Sequence, residues 1–251
     1  MASKIKNVLV SQPPPENEKS PYLLLAKKYN LNIVFRKFFK VEGIASKDFR
    51  QDKVNLNDFT AVIFTSKNAI DHYFRICSEM RIAVQDTLKY FCVSESIALY
   101  LQKYVVYRKR KIFHGKQNFS DLMEIVKKHN TEKFLLPCSD IHKLDIPKLL
   151  DVNKISYTKA IIYRTMSADL SDIDIRDYHM LVFFSPTGIK SLFLNYPGFK
   201  QKDIVIAAFG SATHKAVKQA GLTLNIEAPV AKAPSMTMAI EQYLEKLSKG
   251  K

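Results

Sequence analysis

Two stretches of the sequence share one pattern and decide the fold. Residues 61–70 are AVIFTSKNAI, and residues 181–189 are LVFFSPTGI. In each stretch an apolar run of about four residues is followed at once by a small hydroxyl residue and a helix-like segment. A short run that is apolar throughout is typical of a strand buried on both faces, as in a parallel sheet. Both stretches therefore predict a buried strand that leads directly into a helix.

A second pair of segments has a similar offset. Residues 90–94 are YFCVS and residues 205–210 are VIAAFG, and each leads into another helix-like pattern. Ser185 follows Ser66 by 119 residues, and Gly210 follows Ser94 by 116. Two similar offsets predict two copies of one α/β unit. The alternative is that any two buried parallel strands share such a composition.

The rest of the chain alternates short apolar runs with helix-length amphipathic segments. Ser20-Pro21 is typical of a helix N-cap followed by proline, and Gly221 is typical of a residue that ends a helix. The pattern predicts an α/β fold with two similar lobes, each a parallel sheet flanked by helices. The predicted strands are residues 7–11, 32–35, 61–64, 90–93, 105–107, 133–136, 157–163, 180–184 and 204–209, and the predicted helices are residues 20–29, 66–80, 94–104, 119–129, 146–153, 186–196, 211–220 and 235–246.

Composition excludes several classes of protein. The 251 residues are 47% hydrophobic and 25% charged, which is ordinary for a globular chain and argues against disorder. No apolar run approaches the roughly 18 residues of a membrane span, and no secretory signal precedes the first predicted strand. Cys77, Cys92 and Cys138 form no CxxC motif, which argues against a disulfide framework or a zinc site. We therefore expect a reduced, cytoplasmic protein without a membrane partner.

The charge balance points to an anionic partner. Lys and Arg number 39 against 24 Asp and Glu, which gives a net charge of +15. Such an excess favours nucleic acid, a membrane surface or a small molecule with many acid groups. The seven glycines form neither GxGxxG nor a P-loop, so no dinucleotide or nucleotide site is predicted.

Small hydroxyl residues stand at the predicted strand-to-helix junctions. Ser66, Ser94, Ser185 and Ser211 lie where backbone N–H groups of a first helical turn lack partners within the helix. These N–H groups and the helix dipole suit carboxylate or phosphate oxygens. Any one of these serines is also explained as a simple helix cap, but four of them on a basic chain favour an anion-binding cleft at the carboxyl ends of the strands.

Established catalytic patterns are absent from the sequence. The six histidines show no HxxxH or HExxH spacing, so no metal site is predicted, and no GxSxG motif occurs. Asp140 and His142 are better explained as a polar loop than as an acid–base pair. The basic run at residues 107–111 is better explained as a solvent-facing strand end than as a nucleic-acid patch.

Six motifs, in order along the chain, resemble those of the uroporphyrinogen-III synthase family. The best match is VIFTSKNAI at residues 62–70, against the family pattern "viFTSxnAv". The strand end IYRT at residues 162–165 matches "vYrT". The other four are VLVSQP at residues 8–13, FSPTGI at 184–189, FGSATHKAV at 209–217 followed by Gly221-Leu222, and APSMTMA at 233–239.

The chain departs from the family pattern at three places. Ser11-Gln12 replaces the Thr-Arg that follows the family's first strand, which removes a cation. Ser94 replaces a glycine, and Ile97 stands where the family has a threonine. No hydroxyl group is therefore available at position 97, whereas the corresponding Thr213 of the second copy is kept.

The resemblance implies a two-lobed fold with a discontinuous first lobe. Residues 1–36 and 168–251 would form one lobe, and residues 43–160 the other. Residues 37–42 and 161–167 would form a two-stranded linker.

The resemblance also implies an activity. Hydroxymethylbilane, a linear tetrapyrrole with eight carboxylates, would lose its terminal hydroxyl as water and close into a ring with its distal pyrrole inverted. Neither a cofactor nor a nucleic-acid partner is implied, and the protein is expected to be a monomer. Tyr163 would assist the loss of water. Substrate contacts are expected from Thr65, Ser66, Asn68, Ser94, Ser185, Thr187, Gly188, Ser211 and Thr213.

Two other functions remain compatible with the sequence. One is a two-lobed protein that binds anions or tetrapyrroles without catalysis, and the other is a nucleic-acid-associated α/β protein. Product formation would separate the first from the enzyme, and steeply salt-dependent binding of DNA or RNA would favour the second.

Overall fold

The computed structural model describes residues 5–17, 19–116, 119–141 and 145–249, which fall into two compact units. The first, here called the split unit, comprises Met1–Lys40 and Met166–Lys251. The second, here called the continuous unit, comprises Val41–Thr165.

Each unit contains one sheet with helices on both faces. In chain order the strands are β1 (Asn7–Val10), β2 (Asn32–Phe35), β3 (Phe39–Gly43), β4 (Ala61–Phe64), β5 (Lys89–Cys92), β6 (Ile112–His114), β7 (Phe134–Ser139), β8 (Tyr157–Ser167), β9 (Met180–Phe183), β10 (Val205–Phe209) and β11 (Ile226–Ala228). The α-helices are α1 (Pro21–Tyr29), α2 (Ser46–Phe49), α3 (Lys67–Glu79), α4 (Glu95–Leu101), α5 (Phe119–Lys128), α6 (Asp145–Val152), α7 (Pro186–Asn195), α8 (Ser211–Gln219) and α9 (Met236–Lys249).

The sheet of the split unit has the strand order β11-β10-β9-β1-β2, and its neighbouring strands pair in parallel. Successive side chains of a strand point to opposite faces. Val8 and Val10 accordingly pack in the core beneath α1 and α9, whereas Leu9 packs in the core beneath α7 and α8. Both faces are covered, which explains why the central strands β9 and β10 are apolar throughout.

The sheet of the continuous unit follows the same rule. Its order is β3-β8-β7-β4-β5-β6, and from β8 to β6 the neighbours pair in parallel. Val62 and Phe64 of β4 pack beneath α3 and α4, while Ala61 and Ile63 pack beneath α5 and α6. The predicted α/β class with two similar parallel sheets is confirmed.

The repeated segments occupy equivalent neighbouring positions in the two sheets. The strands β4 and β5 lie side by side in one, and β9 and β10 lie side by side in the other. Because parallel strands end at the same edge, the junctions that follow each pair share that edge of their own sheet.

The predicted helix signals are confirmed. The Ser20 hydroxyl caps α1, with Pro21 as the first helical residue, and it accepts a bond from the Tyr22 N–H at 3.4 Å. Gly221 follows α8 with a φ of +72°, a left-handed conformation that glycine adopts without steric cost.

The predicted strand at residues 105–107 is wrong. These residues form an irregular connection after α4, and Val106 is 79% exposed. The strand forms instead at β6, where Ile112 pairs with Tyr90 and the Phe113 ring stacks on Phe91 at 5.0 Å. Pairing with β5 therefore decides where the strand forms, and it outweighs the intrinsic strand propensity of Val105 and Val106. Arg108, Lys109 and Arg110 consequently lie in an exposed segment before the strand rather than at its end.

Other differences concern short elements and boundaries. The helix predicted for residues 94–104 ends at Leu101, and β8 continues beyond the predicted residue 163 to Ser167. The elements β11 and α2 were not predicted, and β3 was expected only as part of the implied linker. None of the helices in the described ranges is long and apolar enough to cross a membrane.

Candidate active site

The first group of candidate residues lies at the junction between β4 and α3. Ser66 is the N-cap of α3, in extended conformation, and its Oγ accepts a hydrogen bond from the Ala69 N–H at 3.1 Å. Thr65 is half-buried beside it, and Asn68 is exposed in the first turn. The junction thus presents hydroxyl and amide groups around the N-terminus of a 13-residue helix.

Tyr163 contacts this junction from β8. Its hydroxyl oxygen lies 3.3 Å from Ser66 Oγ, although the two residues are 97 positions apart in the sequence. The side chain is only 8% exposed, and the His72 ring stacks on it with centroids 5.2 Å apart. The structure therefore brings together the predicted catalytic residue and one predicted binding residue.

The surroundings of Tyr163 keep its phenol protonated. Burial raises the pKa of Tyr163 above its usual value, and the nearby Cys138 adds to the increase, while the hydrogen bond with Ser66 opposes it. A phenol of raised pKa is a hydrogen-bond donor at neutral pH and a weak proton donor.

His72, which the sequence analysis left unassigned, is held neutral. Burial lowers its pKa, and so does the neighbouring Arg75 guanidinium, while Asp71 and Glu79 oppose this to a smaller extent. Arg75 Nε donates to His72 Nδ1 at 3.2 Å, which requires that nitrogen to be unprotonated. The ring that stacks on Tyr163 is therefore the neutral imidazole of His72.

Lys67 is a cation at the same junction that no sequence motif indicates. The Lys67 ammonium lies 5.1 Å from the centroid of the Tyr100 ring, and the Tyr100 hydroxyl donates to both oxygens of Asp71 at 2.9 Å. The Tyr104 hydroxyl donates to the same carboxylate at 2.6 Å. Because these contacts depend on the packing of α3 against α4, no local sequence pattern indicates them.

Ser94 is the N-cap of α4 but does not cap it through its side chain. Its Oγ bonds instead with Ser96 Oγ at 3.0 Å. Within the part of the chain that the structure describes, no hydrogen bond connects Ser94 to Ser66 or Tyr163.

In the split unit the junction between β9 and α7 repeats the Ser66 arrangement. Ser185 Oγ accepts a bond from the Gly188 N–H at 3.2 Å, and Thr187 is half-buried in the same turn. A Cβ atom at Gly188 would lie 3.3 Å from the Phe183 ring and 3.6 Å from Ser11 Oγ. Because these groups approach position 188 so closely, a residue with a side chain there would displace the Phe183 ring, and glycine avoids this.

The next junction of the split unit is built differently. Gly210, with a φ of +86°, precedes α8, so Ser211 is the first helical residue rather than the cap. Ser211 is exposed, whereas Thr213 is only 2% exposed. His214 Nε2 donates to the carbonyls of Ala208 and Ala228, at 2.9 and 3.0 Å, and thereby ties β10 to β11.

Asp140 stabilises the turn after β7, as the polar-loop interpretation predicts. Its Oδ1 accepts bonds from Ser139 Oγ, the Ile141 N–H and the Thr165 N–H at 2.8, 2.9 and 3.1 Å. Burial alone would raise the pKa of Asp140, but these bonds outweigh it and hold the pKa below its usual value. His142 lies outside the described residues. Across the described ranges, no group of three His, Cys, Asp or Glu side chains is placed to hold a metal ion.

Comparison with known proteins identifies the family. A family model described as uroporphyrinogen-III synthase HemD matches residues 25–238. The structure of uroporphyrinogen-III synthetase from Helicobacter pylori is similar, with a TM-score of 0.56 and 16% identity over 96% of this chain and 100% of that one.

A mutant uroporphyrinogen III synthase from the extremely thermophilic bacterium Thermus thermophilus gives a TM-score of 0.54 and 11% identity over 97% of this chain and 99% of that one. At these identities the two structures establish the fold alone. No curated protein gives a significant match. Since the family model spans well over half of the sequence, the chain belongs to the uroporphyrinogen-III synthase family, the cyclising lyases of tetrapyrrole biosynthesis.

Proposed function

We propose that this chain closes hydroxymethylbilane into uroporphyrinogen III, with Tyr163 at the reacting end of the substrate. Membership of a family of cyclising lyases gives the reaction. The observation that carries the residue assignment is the 3.3 Å contact between the Tyr163 hydroxyl and Ser66 Oγ at the start of α3.

Tyr163 orients the leaving hydroxyl group. The carbon–oxygen bond of the terminal hydroxymethyl group breaks, the departing hydroxide takes up a proton from solvent and leaves as water, and an azafulvene cation remains. A phenol of raised pKa favours this step by donating a hydrogen bond, since complete proton transfer from so weak an acid is unfavourable. The distal pyrrole then attacks the cation through its substituted α-carbon and forms a spiro intermediate. The bond from that carbon to its original bridge carbon breaks, the bridge carbon bonds to the free α-carbon of the same pyrrole, and loss of a proton leaves the ring closed with that pyrrole inverted.

The strand-to-helix junctions bind the substrate carboxylates. Ser66 and Ser185 already accept bonds from their own helices, so their role is to fix the first turns whose remaining N–H groups face the ligand. Thr65, Asn68 and Thr187 add side-chain donors that are at least partly exposed. The remaining members of the proposed binding set are Ser94, Gly188, Ser211 and Thr213.

Lys67 supplies a fixed positive charge at this site. It follows Ser66 directly, and its contact with Tyr100 limits the positions of an otherwise flexible side chain. Asp71 in turn fixes Tyr100 through two hydrogen bonds. A cation that is ordered before the substrate arrives loses less conformational entropy on binding a carboxylate.

The protein acts as a cytoplasmic monomer built from two lobes, residues 43–160 and residues 1–36 with 168–251, joined by linkers at 37–42 and 161–167. The division of the chain at Lys40/Val41 and Thr165/Met166 falls inside both linker segments and supports these boundaries. The three buried free cysteines fit a reducing compartment. A net charge of +15 disfavours self-association.

The test is to incubate the purified protein with freshly prepared hydroxymethylbilane and separate the uroporphyrinogen isomers. We expect isomer III to dominate, whereas the reaction without protein gives isomer I. Binding of the substrate without formation of isomer III would contradict the enzymatic function and favour a non-catalytic tetrapyrrole-binding protein. Light scattering of the same sample checks the monomeric state.

A further inference from the structure

A cavity of about 400 Å³ opens at the carboxyl edge of the split unit's sheet, on the face covered by α1 and α9. Phe35 and Phe209 end their strands there, and Phe184 directly follows β9. Ser20 and Ser235, which precede α1 and α9, complete the wall. The volume lies within the range of small-molecule sites, and none of the junction residues proposed above lines the cavity.

The walls of the cavity are aromatic. Phe184 and Phe209 stack with centroids 5.9 Å apart and an interplanar angle of 26°. Tyr22 and Phe35 form an edge-to-face pair at 5.4 Å. All four rings are partly exposed. Such surfaces favour a flat, conjugated ligand over a flexible chain.

The N-terminus of α9 gives the cavity a polar end. Ser235 Oγ accepts a bond from the Met238 N–H at 3.3 Å and lies 3.1 Å from Thr237 Oγ1. The first N–H groups of this 14-residue helix have no partners within the helix, and they favour an anion. Of the described residues that line the cavity, none is charged, so no carboxylate there repels an acidic ligand.

Tyr22 contributes its ring to the wall of this cavity, whereas its hydroxyl oxygen is buried away from the accessible surface. The Tyr22 ring therefore adds apolar surface to the wall, and the polar contacts of the cavity come from the start of α9.

We propose that the cavity binds one carboxylate-bearing pyrrole ring of the substrate, with the ring against Phe184 and Phe209 and a carboxylate at the start of α9. The inference rests on the proposed function and adds a ring-binding subsite to the carboxylate contacts at the junctions. Holding one ring of a flexible linear tetrapyrrole reduces the number of conformations from which the ends must meet.

A local fluorescent reporter tests the subsite directly. The chain has no tryptophan, so Phe209→Trp places a single tryptophan in the cavity wall, and its emission is excited at wavelengths where the 12 tyrosines hardly absorb. Met238→Trp is the matched control, because Met238 is exposed on α9 and lies outside the wall. The probe is a monopyrrole that carries one acetate and one propionate, and glutarate serves as a dicarboxylate without a ring.

We expect the monopyrrole to quench the Phe209→Trp emission saturably, with a dissociation constant of about a millimolar or lower. Glutarate should require an at least roughly tenfold higher concentration, because it cannot use the aromatic walls. The Met238→Trp emission should not change. Equal quenching at both positions, equal potency of glutarate, or no quenching of Phe209→Trp would overturn the proposal.

Steady-state kinetics with hydroxymethylbilane distinguish a failure of the proposed subsite from a failure of the proposed function. Thr237→Trp fills the cavity from the first turn of α9 and should raise KM about tenfold with little change in kcat, while Met238→Trp behaves like the unmodified protein. If the unmodified protein forms isomer III but Thr237→Trp leaves KM unchanged and the reporter is silent, the subsite is wrong and the function stands. If isomer III never forms but the monopyrrole quenches only Phe209→Trp, the function is wrong and the pyrrole site stands.

Discussion

At the scale of single residues, Tyr163 combines properties that suit a hydrogen-bond donor to a leaving group. Its phenol stays protonated because the side chain is buried, and its hydroxyl is held beside Ser66. The stacked His72 is neutral, so it neither repels a developing cation nor offers a competing acid.

Replacing Tyr163 by Phe should slow turnover more than replacing any one junction hydroxyl. General acid assistance typically contributes 10²–10⁴-fold, and a weak acid that mainly orients its partner belongs at the lower end, so we expect a loss of about tenfold to a hundredfold in kcat. Ser185→Ala removes one neutral interaction and Ser66→Ala removes two, with the Ala69 N–H and the Tyr163 hydroxyl, each of about 0.5–1.5 kcal/mol. Because these contacts position groups and leave the Tyr163 donor in place, we expect a loss of roughly two- to tenfold in kcat for these variants and for Thr213→Val.

The comparison is made by single-turnover kinetics, together with denaturant unfolding to verify that each variant is folded. Phe retains the ring that packs on His72, so the unfolding midpoint of Tyr163→Phe should change little. Unmodified turnover in Tyr163→Phe combined with abolished activity in a Ser or Thr variant would reassign the chemistry.

Lys67 should contribute to substrate affinity rather than to the chemical step. Lys67→Met removes the charge beside the α3 N-terminus, and we expect KM to rise about three- to tenfold with kcat nearly unchanged. The control is Lys148→Met, which removes the same charge from an exposed lysine of α6, on the opposite face of the sheet from α3. Equal effects of the two variants on KM would show that only net charge matters.

The sequence predicts these residues separately but not their contacts. The strand-to-helix pattern predicts Ser66, the family resemblance implies Tyr163, and each residue stands at the end of a predicted strand. Their 3.3 Å approach depends on the order β8-β7-β4 in the sheet, which no local pattern specifies. The Lys67–Tyr100 contact was missed for the same reason, since it arises between two helices.

At the scale of elements, Arg75 fixes α3 to the strands at one edge of the continuous unit's sheet. Its Nη2 donates to the Ile44 and Ile162 carbonyls, at 2.7 and 3.3 Å, and its Nη1 pairs with Glu79 at 2.6 Å. A Cβ atom at Gly43 would lie 2.6 Å from the guanidinium. Gly43 therefore leaves the space in which Arg75 crosses from the helix to β3 and β8.

Gly43→Ala should displace the guanidinium and destabilise the continuous unit. The loss of about two hydrogen bonds to buried carbonyls predicts a decrease of roughly 1–3 kcal/mol in the free energy of unfolding. Gly198→Ala is the matched control: a Cβ at Gly198 meets no atom within 4 Å, so that variant should be neutral or slightly stabilised. Chemical unfolding of both variants is the measurement, and equal stability would show that Arg75 moves aside without cost.

Prediction of the elements succeeded where burial on both faces leaves a continuous apolar run. The strand at residues 61–64 is buried throughout and was predicted with the bounds that the structure gives. The bounds of the edge strand at residues 32–35 were also predicted correctly, although that strand is only partly buried. Prediction failed between α4 and α5. Residues 105–107 have strand propensity but pair with no neighbouring strand, whereas Ile112 pairs with Tyr90 of β5. The short edge strand β11 has only three residues and alternating burial, too little for a sequence pattern.

At the scale of the whole molecule, the net charge of +15 is a property of the entire chain, whereas the junction N–H groups act only over contact distance. The two contributions to substrate binding therefore differ in range. The long-range part is screened by salt, over about 8 Å at physiological ionic strength and about 3 Å at 1 M. The short-range part is screened much less.

This difference predicts how the reaction depends on salt. As ionic strength rises from about 0.05 to about 0.5 M, KM for hydroxymethylbilane should increase several-fold, because the attraction between a basic protein and an eight-carboxylate substrate is screened. The fraction of isomer III among enzymatic products should stay constant, since the geometry of closure depends on contacts within the site.

Lys67→Met supplies the internal control, because a site that has already lost one cation should show a shallower rise of KM with salt. The uncatalysed closure, measured at each salt concentration, is subtracted from the isomer ratio. A KM that does not respond to salt would locate the binding energy in the junction contacts alone, and the excess of basic residues would then need another explanation.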